Sequence, residues 1–518
     1  MLGVDLIDRV APTAEELVHE ARGRLPHLVH ADLRLEVVEA KHAGAENGGA
    51  KTSGDDYGFS LGVRVLAGNR SVAPGYVGRA LGAADVDDLP RIIREALETA
   101  WRRADANAEQ KAQSREKLGA LGEALADTRL HPVEVRRDTV AARYEVDPRT
   151  MALPRMVAET TDVSKRLRAL DSRLAYNYVS TLTQLSRELF VSTEGARLDQ
   201  SFALTQGLVW VVAVVDGVSH EIYDVLGHQR GWEILERGVD EPLIRFPTFG
   251  DFALAMGREA LEVAAAPVLP SSDRDVVVVT DPHYNTLVSH EILGHPVELD
   301  RALKMETAYA GRSWLLRGLE SHQVGKRVAS PLVSAYSDPA LPGYGHYAYD
   351  HEGTPARRVV HIDGGVFQGF MNSRQTAAIF GGAPNGHWKA TGASLVPLIR
   401  MSNTVFANGD RDPDALLREV DRGYYVVGHR TPSIAESREN FRISARKVYE
   451  IVDGALGRLY RDGGIAADTR DYLMNVDAVG SDFRLYPIPN CGKGQPMQIK
   501  KLGNGGPTMR SRAKVVGG

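Results

Sequence analysis

Two histidines and a glutamate stand together in His290-Glu291-Ile292-Leu293-Gly294-His295, and the single cysteine of the chain, Cys491, lies far downstream. Imidazole and thiolate are donors that zinc takes readily, with a fourth tetrahedral position left for water. A carboxylate beside a ligand is placed to take a proton from such a water. In the familiar zinc-protease motif the histidines are four apart and share a helix face. Here they are five apart, which on a regular α-helix is about 140° of rotation and points the rings away from each other. Gly294 loosens the backbone, and Pro296 removes an N–H and crowds the carbonyl four residues back. The spacing therefore predicts a π-type widening or a helix break between about 287 and 296, which would swing both rings to one side.

The motif by itself is weak. The chain holds four His-Glu pairs among 16 histidines, so a chance His at the fifth position is expected on the order of one time in ten. An amphipathic helix carrying two ordinary histidines gives the same letters, and a solitary cysteine is often only a small buried hydrophobe. Two imidazoles and a thiolate together make a coherent donor set.

The elements that must position these groups are legible in outline. Asp281-Pro282 after the apolar run 275–280 reads as an N-cap with proline at the first helical position, opening the helix that carries the motif. Cys491 sits between Asn490 and Gly492 in a segment read as turn-rich. Near the N-terminus, Thr13 and Glu16 read as a capping box ahead of Leu17, Ala21 and Leu25. Leu33, Leu35 and Val37 alternate, as do Tyr57, Phe59, Leu61, Val63 and Val65, which predicts two strands. The Gly-, Ala-, Asn- and Ser-rich stretch 42–54 between them reads as a long mobile hairpin loop. Pro90 opens a second helix, and a charged helical region runs to about Leu170. Strands resume over 174–215 with a turn at Glu194-Gly195; a helix over 252–263 follows, and the last third is strand-rich. The expected class is α+β, with helices on largely antiparallel curved sheets in two domains, 1–240 and a strand-rich 241–518 carrying the motif and Cys491.

Several stretches in order resemble the TldD branch of the TldD/PmbA (TldD/TldE) metalloprotease family. They are His290 to His295, then Asp350-His351-Glu352-Gly353-Thr354-Pro355, Asn490-Cys491-Gly492-Lys493, and Gly503-Asn504-Gly505-Gly506-Pro507-Thr508-Met509-Arg510 with a Val-Gly-Gly tail. Ala31-Asp32 and Gly62-Val63-Arg64-Val65 extend the likeness toward the N-terminus. The resemblance implies that His290, His295 and Cys491 bind Zn2+ and that Glu291 is catalytic. It also implies a curved cavity that accepts short or unfolded peptides, and a dimer, either with itself or with a TldE-like partner lacking the metal. The sequence departs from the family pattern at Asp350-His351, where an acidic pair is usual, and over 299–327, which contains Trp314 and His322.

Composition sets the bounds. At 518 residues with 43% hydrophobic and 25% charged side chains and a net charge of −5, neither nucleic acid nor an anionic membrane is an expected partner. The N-terminal stretch has no basic lead, and no run has the length of a spanning helix. One cysteine forms no intramolecular disulfide, and a reducing cytoplasm is expected. Two other readings stand beside the peptidase. One is a non-catalytic peptide-binding or scaffold subunit with a structural zinc, its fourth ligand Glu298 or Asp300. The other is a nucleotide enzyme using the glycine-rich tail, although Gly492-Lys493-Gly494 lacks the rest of a phosphate loop and Gly503 to Pro507 reads as tight turns.

Overall fold

The computed structural model describes residues 3–309 and 311–518, with the backbone alone over 115–126. Met1 and Leu2, the start of the N-terminal apolar stretch, and Ala310 within 299–327 lie outside the described residues.

The first helix, α1 (Leu6–Arg24), begins a full two turns before the expected cap at Thr13 and carries Pro12 inside it. Leu6, Ile7, Val10, Ala14, Leu17, Val18 and Ala21 form one buried stripe at helical spacing. Burying that stripe outweighs both the local capping signal and the hydrogen bond Pro12 cannot donate.

A seven-stranded sheet follows, made of β1 (Leu28–Glu46), β2 (Gly49–Ala67), β3 (Ala73–Leu81), β4 (Arg137–Val140), β5 (Leu174–Ser192), β6 (Arg197–Val215) and β7 (Val218–His228). All pairs are antiparallel except β4 with β6. The alternating apolar residues pair as the period predicts: Leu33 with Val63, Leu35 with Leu61, Val37 with Phe59. The expected loop over 42–54 is instead ladder: β1 and β2 stay paired from Lys41 and Asp55 to Glu46 and Gly49, and β1 also pairs with β5. Hydrogen bonds on both edges of β1 hold a composition that would otherwise favour a loop.

Helices α1, α2 (Leu89–Ala126) and α3 (Leu153–Leu170), with a later helix Phe249–Ala264, cover one face of this sheet. The charged region is not continuous helix to Leu170, because β4 and extended chain separate α2 from α3. The opposite sheet face carries Asp32, Arg34 and Glu36, and it is buried against the C-terminal half rather than wet.

In that half, strand Val276–Thr280 pairs with both Arg422–Ile434 and Met509–Gly517. With Asn440–Val452 and Gly463–Asp468 this closes a five-stranded barrel. A second sheet runs through Ala335–Ser337, Asn403–Phe406, Gln498–Gly506 and Arg484–Lys493. The class is α+β with helices on largely antiparallel curved sheets, as expected. Gly503 to Gly506 are strand, not tight turns. A Cβ on Gly503 would lie 2.0 Å from Asn403 Oδ1, so glycine is required there by close packing between strands. Among the described residues no helix is long and apolar enough to cross a membrane.

Candidate metal centre

The barrel strand Val276–Thr280 ends at Asp281, whose carboxylate accepts hydrogen bonds from Tyr284 N (2.6 Å) and Gly428 N (2.9 Å). Pro282 follows at the first helical position, and helix Pro282–Val288 passes into a π turn over Ser289–Gly294. The defining bond is His295 N to His290 O, 3.2 Å, spanning five residues. One wide turn uses five residues where α geometry would use four, so both histidines face the same side. Their ring centroids are 4.7 Å apart with planes at 87°.

Cys491 arrives on strand Arg484–Lys493, not on a turn as its glycine and asparagine neighbours suggest. The ladder is irregular between Ile488 and Cys491, and Arg400 Nη2 fixes the Cys491 carbonyl at 2.6 Å. The sulfur lies 3.7 Å from His295 Nε2, and one donor atom each from His290, His295 and Cys491 falls within 4.8 Å of the others. All three are buried, at 3–4% exposure.

The far nitrogen of each ring is anchored. His290 Nδ1 meets Asn504 Oδ1 at 3.0 Å, and Asn504 Nδ2 donates to Thr404 O, which orients the amide oxygen toward the histidine. His295 Nδ1 meets Glu298 Oε2 at 3.1 Å, and that carboxylate is itself held by Arg301 and Lys493. With Nδ1 of each ring turned to an acceptor, Nε2 is the atom left to face Cys491 and a metal, as metal-binding imidazoles require. Glu298 and Asp300 are not a fourth ligand. Glu298 serves His295 from behind, and Asp300 bonds Lys493 and Ile399 N. Among the described residues the donor group numbers three.

Charge completes the picture. Burial opposes ionisation of Cys491, but His290, His295 and Arg400 outweigh it and hold the thiol well below its ordinary value. Burial likewise pulls His290 down, and the adjacent Cys491 overrides it, lifting His290 to about 9. Without a cation the pair shares a proton that a divalent ion would replace. Glu291 is held below its usual value, burial being outweighed first by Arg438. The residues present fit zinc: two imidazoles, a thiolate and one open side.

That open side is a cavity of about 640 Å³. Its far wall comes from the N-terminal sheet, through Trp210, Glu221, Tyr223 and Asp224. Neither His351 nor His322 lines it. His351 is buried between Arg34 (2.7 Å) and Glu188 (2.9 Å), and His322 packs edge-on against Phe380 at 5.4 Å. Sequence reasoning missed Arg438, which bonds Glu291; the Ser437-Arg438-Glu439-Asn440 stretch reads as an ordinary polar connection with nothing to single out the arginine.

Comparison with known proteins finds relatives in sequence and in fold. The model of the PmbA/TldA metallopeptidase C-terminal domain matches residues 273–518. A metalloprotease of Methanothermobacter thermautotrophicus is 33% identical over 66% of this chain and 69% of its own length. A Saccharolobus solfataricus protein named as a zinc metalloprotease TldD homolog is 28% identical over 46% of this chain and 51% of its own. In fold, the crystal structure of TldE from Thermococcus kodakarensis superposes with a TM-score of 0.70 at 18% identity, covering 98% of this chain and all of that one. With the barrel, the wide turn and the downstream cysteine strand all lying inside the matched region, the chain belongs to the PmbA/TldD metalloprotease family.

Proposed function

We propose that the chain is a zinc-dependent peptidase acting on short or unfolded peptides, with His290, His295 and Cys491 as metal ligands and Glu291 as general base. The observation that carries this is the convergence of three buried donors, each imidazole with its Nδ1 anchored, beside a carboxylate that opens on the cavity. Zinc, when bound, supplies Lewis-acid activation of water and of the scissile carbonyl. Glu291 takes a proton from the attacking water as the new C–O bond forms. It then hands that proton to the amine nitrogen as the C–N bond breaks. The sheet wall opposite excludes bulk water from one side and leaves room for an extended chain rather than a folded domain. A reducing cytoplasm suits Cys491, which ligates only as a thiolate. Assembly as a dimer, with a second copy or with a TldE-like partner lacking the metal, belongs to this reading, supported by the shared fold.

The test is metal analysis with a peptide assay on wild type and Glu291→Gln. Wild type is expected to hold about one zinc per chain and to cut flexible peptides while sparing a stable folded domain. Glu291→Gln should keep the zinc and lose about 10²–10⁴-fold in rate. Undiminished hydrolysis by a zinc-replete Glu291→Gln variant would falsify the assignment.

A further inference from the structure

The barrel strands Arg422–Ile434 and Asn440–Val452 form a hairpin whose connection reaches the metal cavity. The connection is built rather than loose. Arg438 N donates to Ala435 O, Thr469 Oγ1 donates to Arg438 O at 2.6 Å, and Trp314 N donates to Ser437 O at 3.1 Å. At its end Arg438 has φ of +67°, a left-handed conformation that disfavours a long L side chain and that Gly or Asn would take at lower cost. An exposed turn has no reason to keep arginine there. This arginine does not point to solvent: it is 5% exposed, lines the cavity, and donates from Nη1 to Glu291 Oε2. Its Nε is buried without a hydrogen-bond partner. Placing a guanidinium in such a site costs several kcal/mol of hydration unless its partner recovers them, and Glu291 is that partner. Among the described residues Glu291 Oε1 accepts no hydrogen bond, so one carboxylate oxygen is held and the other is open.

We propose that Arg438 is a positioning residue for Glu291: it grips Oε2 from the hairpin tip and leaves Oε1 as the oxygen that takes and returns the proton. The inference rests on the peptidase reading for its chemistry and on the hairpin geometry for its evidence. A carboxylate free to rotate spends part of its time turned from the reacting water, and small losses of orientation cost rate steeply. The segment 299–327 acquires a role too, because Arg312 N and Trp314 N seat the tip through Glu436 O and Ser437 O.

The experiment is a double-mutant cycle of Arg438→Met and Glu291→Gln in zinc-loaded protein, read by kcat, by KM and by calorimetric binding of a peptide hydroxamate. Arg438→Met should keep zinc, lower kcat by about 10–10²-fold with KM little changed, and weaken the hydroxamate. In the Glu291→Gln background it should add nothing to either loss. Arg438→Lys should restore part of kcat; it also carries the cycle if the Met variant loses zinc or unfolds. Additive losses in the double variant, or a loss confined to KM, overturn the proposal. If wild type hydrolyses no peptide, the peptidase reading fails by itself, and the hydroxamate cycle still decides whether Arg438 acts through Glu291.

Discussion

His290 and His295 share one turn but depend on different distant groups, Asn504 on a neighbouring strand and Glu298 just beyond the turn. An imidazole loses directional preference when its second nitrogen has no acceptor, and such outer contacts are worth about 10–100-fold in metal affinity. Asn504→Ala should therefore weaken zinc by about that factor without unfolding the strand, measured by competition with a chelating dye; unchanged affinity would refute the anchoring role. The four residues read from sequence as candidates are legible because their types announce coordination and proton-transfer chemistry, and the wide turn and the cysteine strand bring them together. Their anchors were not legible. Asn504 lay within a glycine run that looked like turns, Glu298 looked like a rival ligand, and Arg438 had no local signature. What selects these residues is their partner across the fold, which a linear pattern does not contain.

At the scale of elements, the wide turn is where local sequence spoke most clearly. Five-residue spacing with Gly294 and Pro296 predicted a departure from α geometry, and the π turn over Ser289–Gly294 is that departure. The reason for glycine goes beyond backbone freedom: a Cβ at 294 would lie 2.0 Å from Met401 Sδ. Gly294→Ala should destabilise the protein by about 1–3 kcal/mol through overpacking, and the same substitution should cost less when made in a Met401→Ala background than in wild type. Equal unfolding midpoints for Gly294→Ala and wild type in urea would show that the turn tolerates bulk. Elsewhere local signals lost to packing. The Thr13 capping letters yielded to the longer buried stripe of α1, and the loop-like 42–54 composition yielded to pairing of β1 with β2 and β5.

Across the whole molecule, the alternation in β1 gives one apolar buried face, and the other face is no solvent face. Asp32 pairs with Arg64, which reaches Glu352; Arg34 reaches His351; and Glu36 Oε2 accepts from Ala393 N at 2.7 Å. The N-terminal sheet is thus locked to the half bearing the His290, His295 and Cys491 group by buried charge, while its β6–β7 end walls the cavity. That junction should be sensitive to pH. Burial, then the Glu188 charge, lifts Glu36 from 4.5 to about 7. A carboxyl with a raised folded pKa retains its proton longer in the folded state than in the unfolded chain. Its contribution is fully present below about pH 4.5 and is lost as pH rises through about 7, a change on the order of 3 kcal/mol. Glu36→Gln keeps an oxygen for Ala393 N and cannot ionise, so it should unfold at higher urea than wild type at pH 8 and close to wild type at pH 4.5. If the urea midpoints of the two proteins differ by the same amount at both pH values, Glu36 is not the group that makes the junction titrate.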